Sequence, residues 1–361
     1  MECYLVEAYI NKIATAVPPH DVHEAFLRFG RLLLQGDNRR SALFHRMAER
    51  AEIEHRYSYL SPQPKPDEGE VSAAAFYAAR RFPSTAARMR LFERQAPLLA
   101  EKTVKRLRLE GDCSRISHLL ITCCTGFSAP GLDFEIIARC GLSGSVERTI
   151  IGFMGCYAAI NALKLARHIV RSEPAARVLV LNLELCSLHL KETTNLDEIL
   201  SFLIFGDGCA ASIVSTDPVG LALDRFCAAL IPDTQELITW NIGDGGFDMV
   251  LSGRVPTRLQ ETLRSRTDEI LDGAPASSID LWAVHPGGRS ILDAVQHALS
   301  LGPEALAHSR SILRRFGNMS SATVMFVLER MLRATGSQRR GCAMAFGPGV
   351  IAETMLFHAV G

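Results

Sequence analysis

The chain carries no excess of either charge: 39 lysines and arginines balance 39 aspartates and glutamates. That balance argues against the basic stripe of a nucleic-acid binder and the polybasic face of an electrostatic membrane binder. No apolar run reaches the length of a bilayer span. The first residues, Met1-Glu2-Cys3-Tyr4, lack the basic region and apolar block of a secretory signal, so the expected location is cytoplasmic. The ten cysteines contain no C-x-x-C pair, and only Cys123 and Cys124 are adjacent. This is neither a zinc pattern nor a small disulfide scaffold, and it reads as reduced thiols used mostly as small hydrophobes. What is present is a large apolar fraction, 48% against 22% charged, in 361 residues. Such a chain builds two domains or one two-lobed unit around a large core.

The central stretch is Ile151-Gly152-Phe153-Met154-Gly155-Cys156-Tyr157-Ala158-Ala159-Ile160. The following residues are apolar except Asn161, Lys164, Arg167 and His168, which predicts a helix buried on most sides. Cys156 falls at the helix start, where free N–H groups and the dipole favour an anion, so a thiol with a lowered pKa is expected. A buried, inert cysteine is the plain alternative, since free Cys is among the most buried residue types.

The rest of the chain alternates strand and helix. Tyr4–Ile10 is a predicted strand, followed by helices from Asp21 to about Leu34 and over Ser41–Ala51. Ser58–Glu70 reads as irregular, and Ser72–Leu109 as helix with its arginines on a solvated face. Ile116–Cys123, Arg177–Glu184, Cys209–Val214, Ser278–Val284, Cys342–Phe346 and Ile351–Phe357 are predicted strands, with Phe205-Gly206-Asp207-Gly208 as a tight turn. Asp217-Pro218-Val219-Gly220 marks a boundary between an N-terminal half, 1–220, and a C-terminal half, 221–361. The two halves keep similar spacing: Ile116 to Cys156 is 40 residues and Ile279 to Asn318 is 39. The simplest account is an internal duplication in which Cys156 and Asn318 open equivalent central helices.

Three residues then stand out. Cys156 needs a base or imidazolium beside it. His285 ends a strand before Pro286-Gly287-Gly288, and the Asn318 amide can stabilise charge developing on a thioester oxygen. Singly, a histidine is more often a satisfied core residue and an Asn after Gly a turn residue. In the order Cys, His, Asn on a duplicated frame they are far more specific.

With Gly155-Cys156-Tyr157-Ala158-Ala159, Phe205-Gly206-Asp207-Gly208, His285-Pro286-Gly287-Gly288, Gly317-Asn318-Met319-Ser320-Ser321-Ala322 and Phe346-Gly347-Pro348-Gly349 in order, nearly the whole chain resembles the type III polyketide synthases, the chalcone synthase-like family. The resemblance implies an α/β thiolase fold, five-layered αβαβα with two pseudo-duplicated halves. It implies that Cys156 takes an acyl starter from coenzyme A, that His285 pairs with the thiolate, and that His285 and Asn318 stabilise the enolate left when malonyl-CoA loses carbon dioxide. Phe205 matches a gatekeeper phenylalanine, and Gly347, Pro348 and Gly349 the loop shaping the cyclisation cavity. Met249 stands at the second gatekeeper position, and Cys124, Cys186, His189, Trp240 and Ser320 match cavity-wall positions. Arg46 and Arg50, with Gly287, Gly288 and Ser290, match positions that hold coenzyme A. The implied state is a homodimer without metal or redox cofactor.

The chain departs from the plant pattern at several positions. Leu43 replaces a third phosphate-binding basic residue, Ala345 a loop glycine, and Trp240 a small glycine. Trp240 would close off part of a plant-type cavity and leave a narrow apolar channel. The run Trp240–Phe247 and Cys124-Thr125-Gly126-Phe127 resemble bacterial members that make alkylpyrones and alkylresorcinols, which implies a fatty acyl starter and two or three malonyl extensions. The rival readings are a β-ketoacyl carrier-protein synthase of the III type, loaded by an acyl carrier protein and performing one condensation, a cysteine acyltransferase or hydrolase, and a non-catalytic acyl-binding protein.

Overall fold

The computed structural model describes residues 6–361 apart from positions 79, 80, 110, 194, 196, 197, 200–202, 335 and 337. The principal strands are β1 (Tyr9–Ala16), β2 (His118–Cys123), β3 (Glu147–Gly152), β4 (Val178–Leu185), β5 (Asp207–Ser215), β6 (Gly220–Leu230), β7 (Ile238–Gly243), β8 (Gly246–Leu251), β9 (Leu281–Val284), β10 (Arg340–Gly347) and β11 (Ile351–Val360). The principal helices are α1 (His23–Leu33), α2 (Asn38–Ala51), α3 (Thr85–Arg106), α4 (Leu132–Cys140), α5 (Ala158–Ser172), α6 (Val255–Ser265), α7 (Arg289–Ala298), α8 (Ala307–Phe316) and α9 (Thr323–Ala334).

Nine strands form one sheet in the order β9-β10-β11-β6-β1-β5-β4-β2-β3, while β7 and β8 make a separate antiparallel hairpin. The sheet repeats itself about the β6/β1 junction. β2 runs parallel to β4, which runs antiparallel to β5, and in the other half β9 runs parallel to β10, which runs antiparallel to β11. The near-continuous apolar runs of β2, β4 and β5 are buried along their whole length, as expected for strands covered on both faces.

Helices supply the cover in three layers. Ile160, Leu163 and Ala166 of α5 share one core with Met325, Leu328 and Met331 of α9, between Val180 and Ala210 on one side and Ala343 and Met355 on the other. Leu99 and Ala100 of α3 pack on the outer face of Leu179, Leu181 and Ile213. Leu259 of α6 and Leu292 and Val295 of α7 cover Trp282, Cys342 and Met344. Burying a side chain such as Ile160 or Leu163 contributes roughly 1.5–3 kcal/mol, so α5 is held by its surroundings far more than by helix propensity. The five layers expected from the resemblance are present.

Several local expectations are corrected. The first strand is β1, beginning at Tyr9, and Tyr4 and Leu5 lie outside the described residues. The stretch 72–109 is not one helix: a four-residue turn, Ala73–Phe76, is separated from α3 by Phe82-Pro83-Ser84, where Pro83 blocks continuation and Ser84 caps Ala87 N–H. Arg88 of α3 is not on a solvated face but fully buried, donating to the carbonyls of Pro83 and Leu188 and to Tyr77 Oη. The Pro83 and Leu188 carbonyls and the Tyr77 hydroxyl give the guanidinium polar partners, which explains why a charge is tolerated there. Phe205–Gly208 is not a free turn, because Phe205 bridges to Asn318 and Asp207 already belongs to β5.

Candidate active site

Cys156 lies in a short 3₁₀ turn, Gly155–Tyr157, that leads into α5, and Ser320–Ala322 leads in the same way into α9. The duplicated frame thus brings the two central helices in with their starts together: Cys156 Sγ–H points to Ser320 Oγ at 3.8 Å. Backbone strain collects at this junction. Phe153 and Ser320 have φ of 55° and 47°, a conformation costly for side chains other than glycine. Gly155 also has positive φ, 73°, and a Cβ there would lie 2.4 Å from Pro348 Cδ, so only glycine lets the Gly347-Pro348-Gly349 loop press onto the cysteine turn.

Cys156 opens into a narrow cavity. Cys124, Cys186, His189, Phe205, Trp240, Met249, Ser320 and Pro348 line it. Gly347 and Gly349 stand behind the wall. A Cβ on Gly347 would lie 2.8 Å from the Tyr157 ring and 3.2 Å from Cys156 N. The side chains of Thr125, Phe247, Ile238, Leu190 and Lys191 also reach the cavity and carried no signal of their own in the sequence.

The wall opposite the thiol is a packed aromatic group. His189 stacks on Phe247 with centroids 4.2 Å apart, and Trp240 meets both rings edge-on. Hydrogen bonds fix the set. Trp240 Nε1–H donates to the Cys124 carbonyl at 2.7 Å, His189 Nε2 lies 2.7 Å from the Thr125 carbonyl, and Phe247 N–H donates to His189 Nδ1 at 3.2 Å. These contacts settle the tautomer: Nε2 carries the hydrogen and Nδ1 the lone pair. Burial pushes His189 down to about 3, so it stays neutral.

Asn318 is held from every side. Its Oδ1 accepts from Ser320 N–H at 2.8 Å, and its Nδ2 donates to the Gly287 carbonyl at 3.3 Å. That second bond ties the Asn318 amide to the His285–Gly288 turn. His285 is almost completely buried, and neither ring nitrogen has a hydrogen-bond partner among the described residues. A buried imidazole with both nitrogens unpaired costs stability, and sites of that kind are kept for a ligand or a reacting group. Burial alone lowers it to about 3. Burial likewise pushes the Cys156 thiol up to about 12, against hydrogen bonds from Ser320 and Asn318 that pull it down. Burial thus works against the lowering of the thiol pKa expected from the helix start.

One group went unnoticed in the sequence. Glu184, at the end of β4, is completely buried beneath the cavity. Its carboxylate accepts from Cys124 N–H at 2.9 Å, Thr125 Oγ1 at 3.0 Å and Ser321 Oγ at 2.6 Å, joining both halves of the fold. Burial raises it to about 7 despite these donors. A single acid in the apolar run Val178–Leu185 was the available signal.

The expected coenzyme A positions lie outside the cavity. Arg46 and Arg50 are exposed on α2, and Ser290 is exposed at the start of α7. The ion pair of Glu52, just past α2, with Arg289 at 2.9 Å sets the end of α2 beside the Gly287-Gly288 turn.

Two central helices between two halves of a duplicated sheet, with a strained cysteine turn at the start of one and Asn318 just before the other, define a condensing enzyme of the thiolase fold. The chain belongs to the chalcone and stilbene synthase family, the type III polyketide synthases: the N-terminal domain of that family matches residues 6–218 and its C-terminal domain residues 223–361. A relative from Mycobacterium tuberculosis, the alpha-pyrone synthesis polyketide synthase-like Pks18, is 36% identical over 302 residues, covering 80% of this chain and 77% of the relative. Among solved structures, PKS-I from the brown alga Ectocarpus siliculosus superposes with a TM-score of 0.90 at 30% identity, covering 100% of both chains. The 1,3,6,8-tetrahydroxynaphthalene synthase of Streptomyces coelicolor gives 0.87 at 28% identity, covering 98% of this chain and 99% of that one. As a member of this family the chain is an acyl-transferring enzyme that condenses malonyl-CoA decarboxylatively onto an acyl starter.

Proposed function

We propose that Cys156 is the acyl-accepting nucleophile, with His285 and Asn318 as its partners. The observation that carries this reading is the buried His285 imidazole, whose two nitrogens have no partner among the described residues, at the turn whose Gly287 carbonyl accepts from the Asn318 amide. A neutral imidazole can take the thiol proton as sulfur attacks the starter thioester, and return a proton later. The ring N–H and the Asn318 amide then stabilise the enolate oxygen formed as malonyl-CoA loses carbon dioxide. The enolate carbon attacks the Cys156 thioester, and the chain returns to coenzyme A two carbons longer. The chain's own residues and the thioester substrates suffice for these steps, so no metal or redox cofactor is invoked.

The starter we assign is a fatty acyl-CoA, extended by two or three malonyl units and closed to an alkylpyrone or alkylresorcinol. A narrow cavity walled by Cys124, Cys186, Met249 and the His189–Phe247–Trp240 group favours a slim, flexible chain over a broad ring. The similarity to an alpha-pyrone synthase-like relative is in keeping with that product class. Arg46, Arg50, Gly287, Gly288 and Ser290 would receive coenzyme A at the surface, and an acyl carrier protein is the alternative donor. The reading further includes a homodimer, a cytoplasmic setting, and two halves at 1–220 and 221–361.

The test is a mass-spectrometric product assay with malonyl-CoA and acyl-CoA starters from acetyl to stearoyl. Long-chain pyrones or resorcinols are expected. A single β-keto extension, or turnover only with a carrier protein, would move the chain to the single-condensation class, and free acid alone to the hydrolases.

A further inference from the structure

One charged side chain outside the cavity reaches the segments that carry both Phe205 and Asn318. Arg56, in the extended stretch after α2, is completely buried. Its backbone is pinned: Val22 N–H donates to the Arg56 carbonyl at 2.8 Å, and Arg56 N–H donates to Asp21 Oδ1 at 3.3 Å. We propose that Arg56 is a positioning residue for malonyl-CoA decarboxylation, clamping the backbone junction from which the Asn318 amide projects. The proposal rests on the enolate-stabilising role given to Asn318, and it adds a residue that acts through that amide from outside the cavity.

The clamp uses both parts of one side chain. The guanidinium donates from Nη1 to the Phe205 carbonyl at 3.2 Å and from Nε to Nδ1 of His23, the first residue of α1, at 3.0 Å. His23 must offer a lone pair there, and burial, with the Arg56 charge beside it, lowers it to about 4 and keeps it neutral. The aliphatic stem lies against two glycines. A Cβ on Gly206 would lie 3.3 Å from Arg56 Cβ, and one on Gly317 would lie 2.9 Å from Arg56 Cγ. These glycines belong to the two strands that meet where Asn318 N–H donates to the Ile204 carbonyl at 2.7 Å and Gly206 N–H donates to the Asn318 carbonyl at 2.9 Å. The stem thus packs on both strands of the junction, while the guanidinium ties one of them to α1.

A buried cation is a costly way to fill space. Desolvation lowers Arg56 to about 9, so it is still charged at neutral pH. An apolar side chain of similar length would fill the volume without that desolvation. It could not donate in two directions from one rigid plane, which is how the guanidinium fixes the Phe205 carbonyl relative to α1. A lysine keeps the charge but is a single point on a flexible stem, and it cannot hold both acceptors in that geometry. The Asn318 backbone is bonded to the anchored segment on both sides of Phe205. A displacement of about 1 Å at a group of this kind costs about 10²-fold in rate.

The experiment is a double-mutant cycle of Arg56→Lys with Asn318→Ala, run below the unfolding transition of every variant. Carbon dioxide release from malonyl-CoA is measured as kcat and KM, and loading of Cys156 by the preferred starter of the acyl-CoA panel as a mass gain. Arg56→Lys should lower kcat for decarboxylation by about tenfold or more, with KM and loading within about threefold of the parent. In the Asn318→Ala background the same change should cost no more than about twofold, since the group it acts through is gone. Unchanged decarboxylation in Arg56→Lys, losses that multiply in the double variant, or loading that falls in step with decarboxylation would each overturn the proposal. His23→Phe, which removes the Nε acceptor and leaves Arg56 in the chain, covers the case in which Arg56→Lys does not fold: the same split is expected, and its absence overturns the proposal. Asn318→Ala with unimpaired decarboxylation would instead remove the role of Asn318 itself, and the positioning role with it.

Discussion

Phe205 and Asn318 are joined through the backbone rather than through their side chains. Asn318 N–H donates to the Ile204 carbonyl at 2.7 Å, and Gly206 N–H donates to the Asn318 carbonyl at 2.9 Å. Buried Arg56 holds the same segment by donating to the Phe205 carbonyl at 3.2 Å. The ring of Phe205 can therefore be changed without moving the Asn318 amide. Phe205→Leu should keep malonyl-CoA decarboxylation within about threefold while altering which starters are accepted. If carbon dioxide release falls in step with product formation, the two functions are not separable in this way.

Cys156→Ala should abolish product, and intact-mass analysis should find no acyl adduct on the variant. Asn318→Ala should slow malonyl-CoA decarboxylation by about 10²–10³, the usual loss for one oxyanion donor, while Cys156 still loads with a starter. Equal loss of loading and decarboxylation would remove the role given to Asn318.

Glu184 should make stability depend on pH. Its carboxyl is raised from 4.5 to about 7, so between these values the folded chain holds a proton that the unfolded chain has lost. Its contribution is full below pH 4.5 and declines as pH rises through about 7. Glu184→Gln removes that decline, so the variant should gain on the parent by on the order of 2 kcal/mol between pH 5 and pH 8. Urea unfolding at several pH values measures the difference, and parallel profiles for the two proteins would refute it.

Trp240→Phe keeps an aromatic wall but loses the N–H that donates to the Cys124 carbonyl. The expected cost is about 1 kcal/mol with little change in product. Trp240→Gly should open the cavity and shift the preferred starter toward bulkier acyl groups. Chromatography of products from a starter panel separates the two, and identical profiles for all three proteins would show that the wall does not select.

Arg88→Leu leaves the Pro83 and Leu188 carbonyls without their donor. A loss of about 3 kcal/mol is expected, visible as a lower Tm. A shift within about 0.5 kcal/mol would mean that the buried charge contributes nothing net.

The frame was legible because its signals are periodic. Apolar runs such as Val178–Leu183 and Ile116–Ile121 leave a strand few alternatives, and the matched spacing to Cys156 and Asn318 carried the duplication. The wall residues Cys124, Trp240 and Met249 were found by resemblance, since nothing in their own neighbourhood distinguishes a cavity wall from ordinary core. Arg88 was misplaced because helical periodicity gives a residue's face but not what lies across from it, and one of the oxygens it serves, the Leu188 carbonyl, is a hundred positions away. Glu184 was passed over for the same reason: its donors belong to Cys124, Thr125 and Ser321, which only the fold brings together. A helix start beside Cys156 is visible in sequence, whereas the depth of its burial, which pushes the thiol the other way, is not.

The β7–β8 hairpin belongs to the C-terminal half of the chain, yet it fastens to the N-terminal half. Thr85 N–H donates to the Asp244 carbonyl at 2.8 Å, Gly246 N–H to Thr85 Oγ1 at 2.9 Å, and Trp240 reaches Cys124. This appendage of fourteen residues, Ile238–Leu251, lies outside the main sheet and supplies Trp240, Phe247 and Met249 to the cavity wall. If that wall selects the starter, sequence drift in the appendage would change what the enzyme makes while leaving how it makes it untouched. Descendants of one ancestral catalyst could thus diverge in chemistry's output by editing a ribbon.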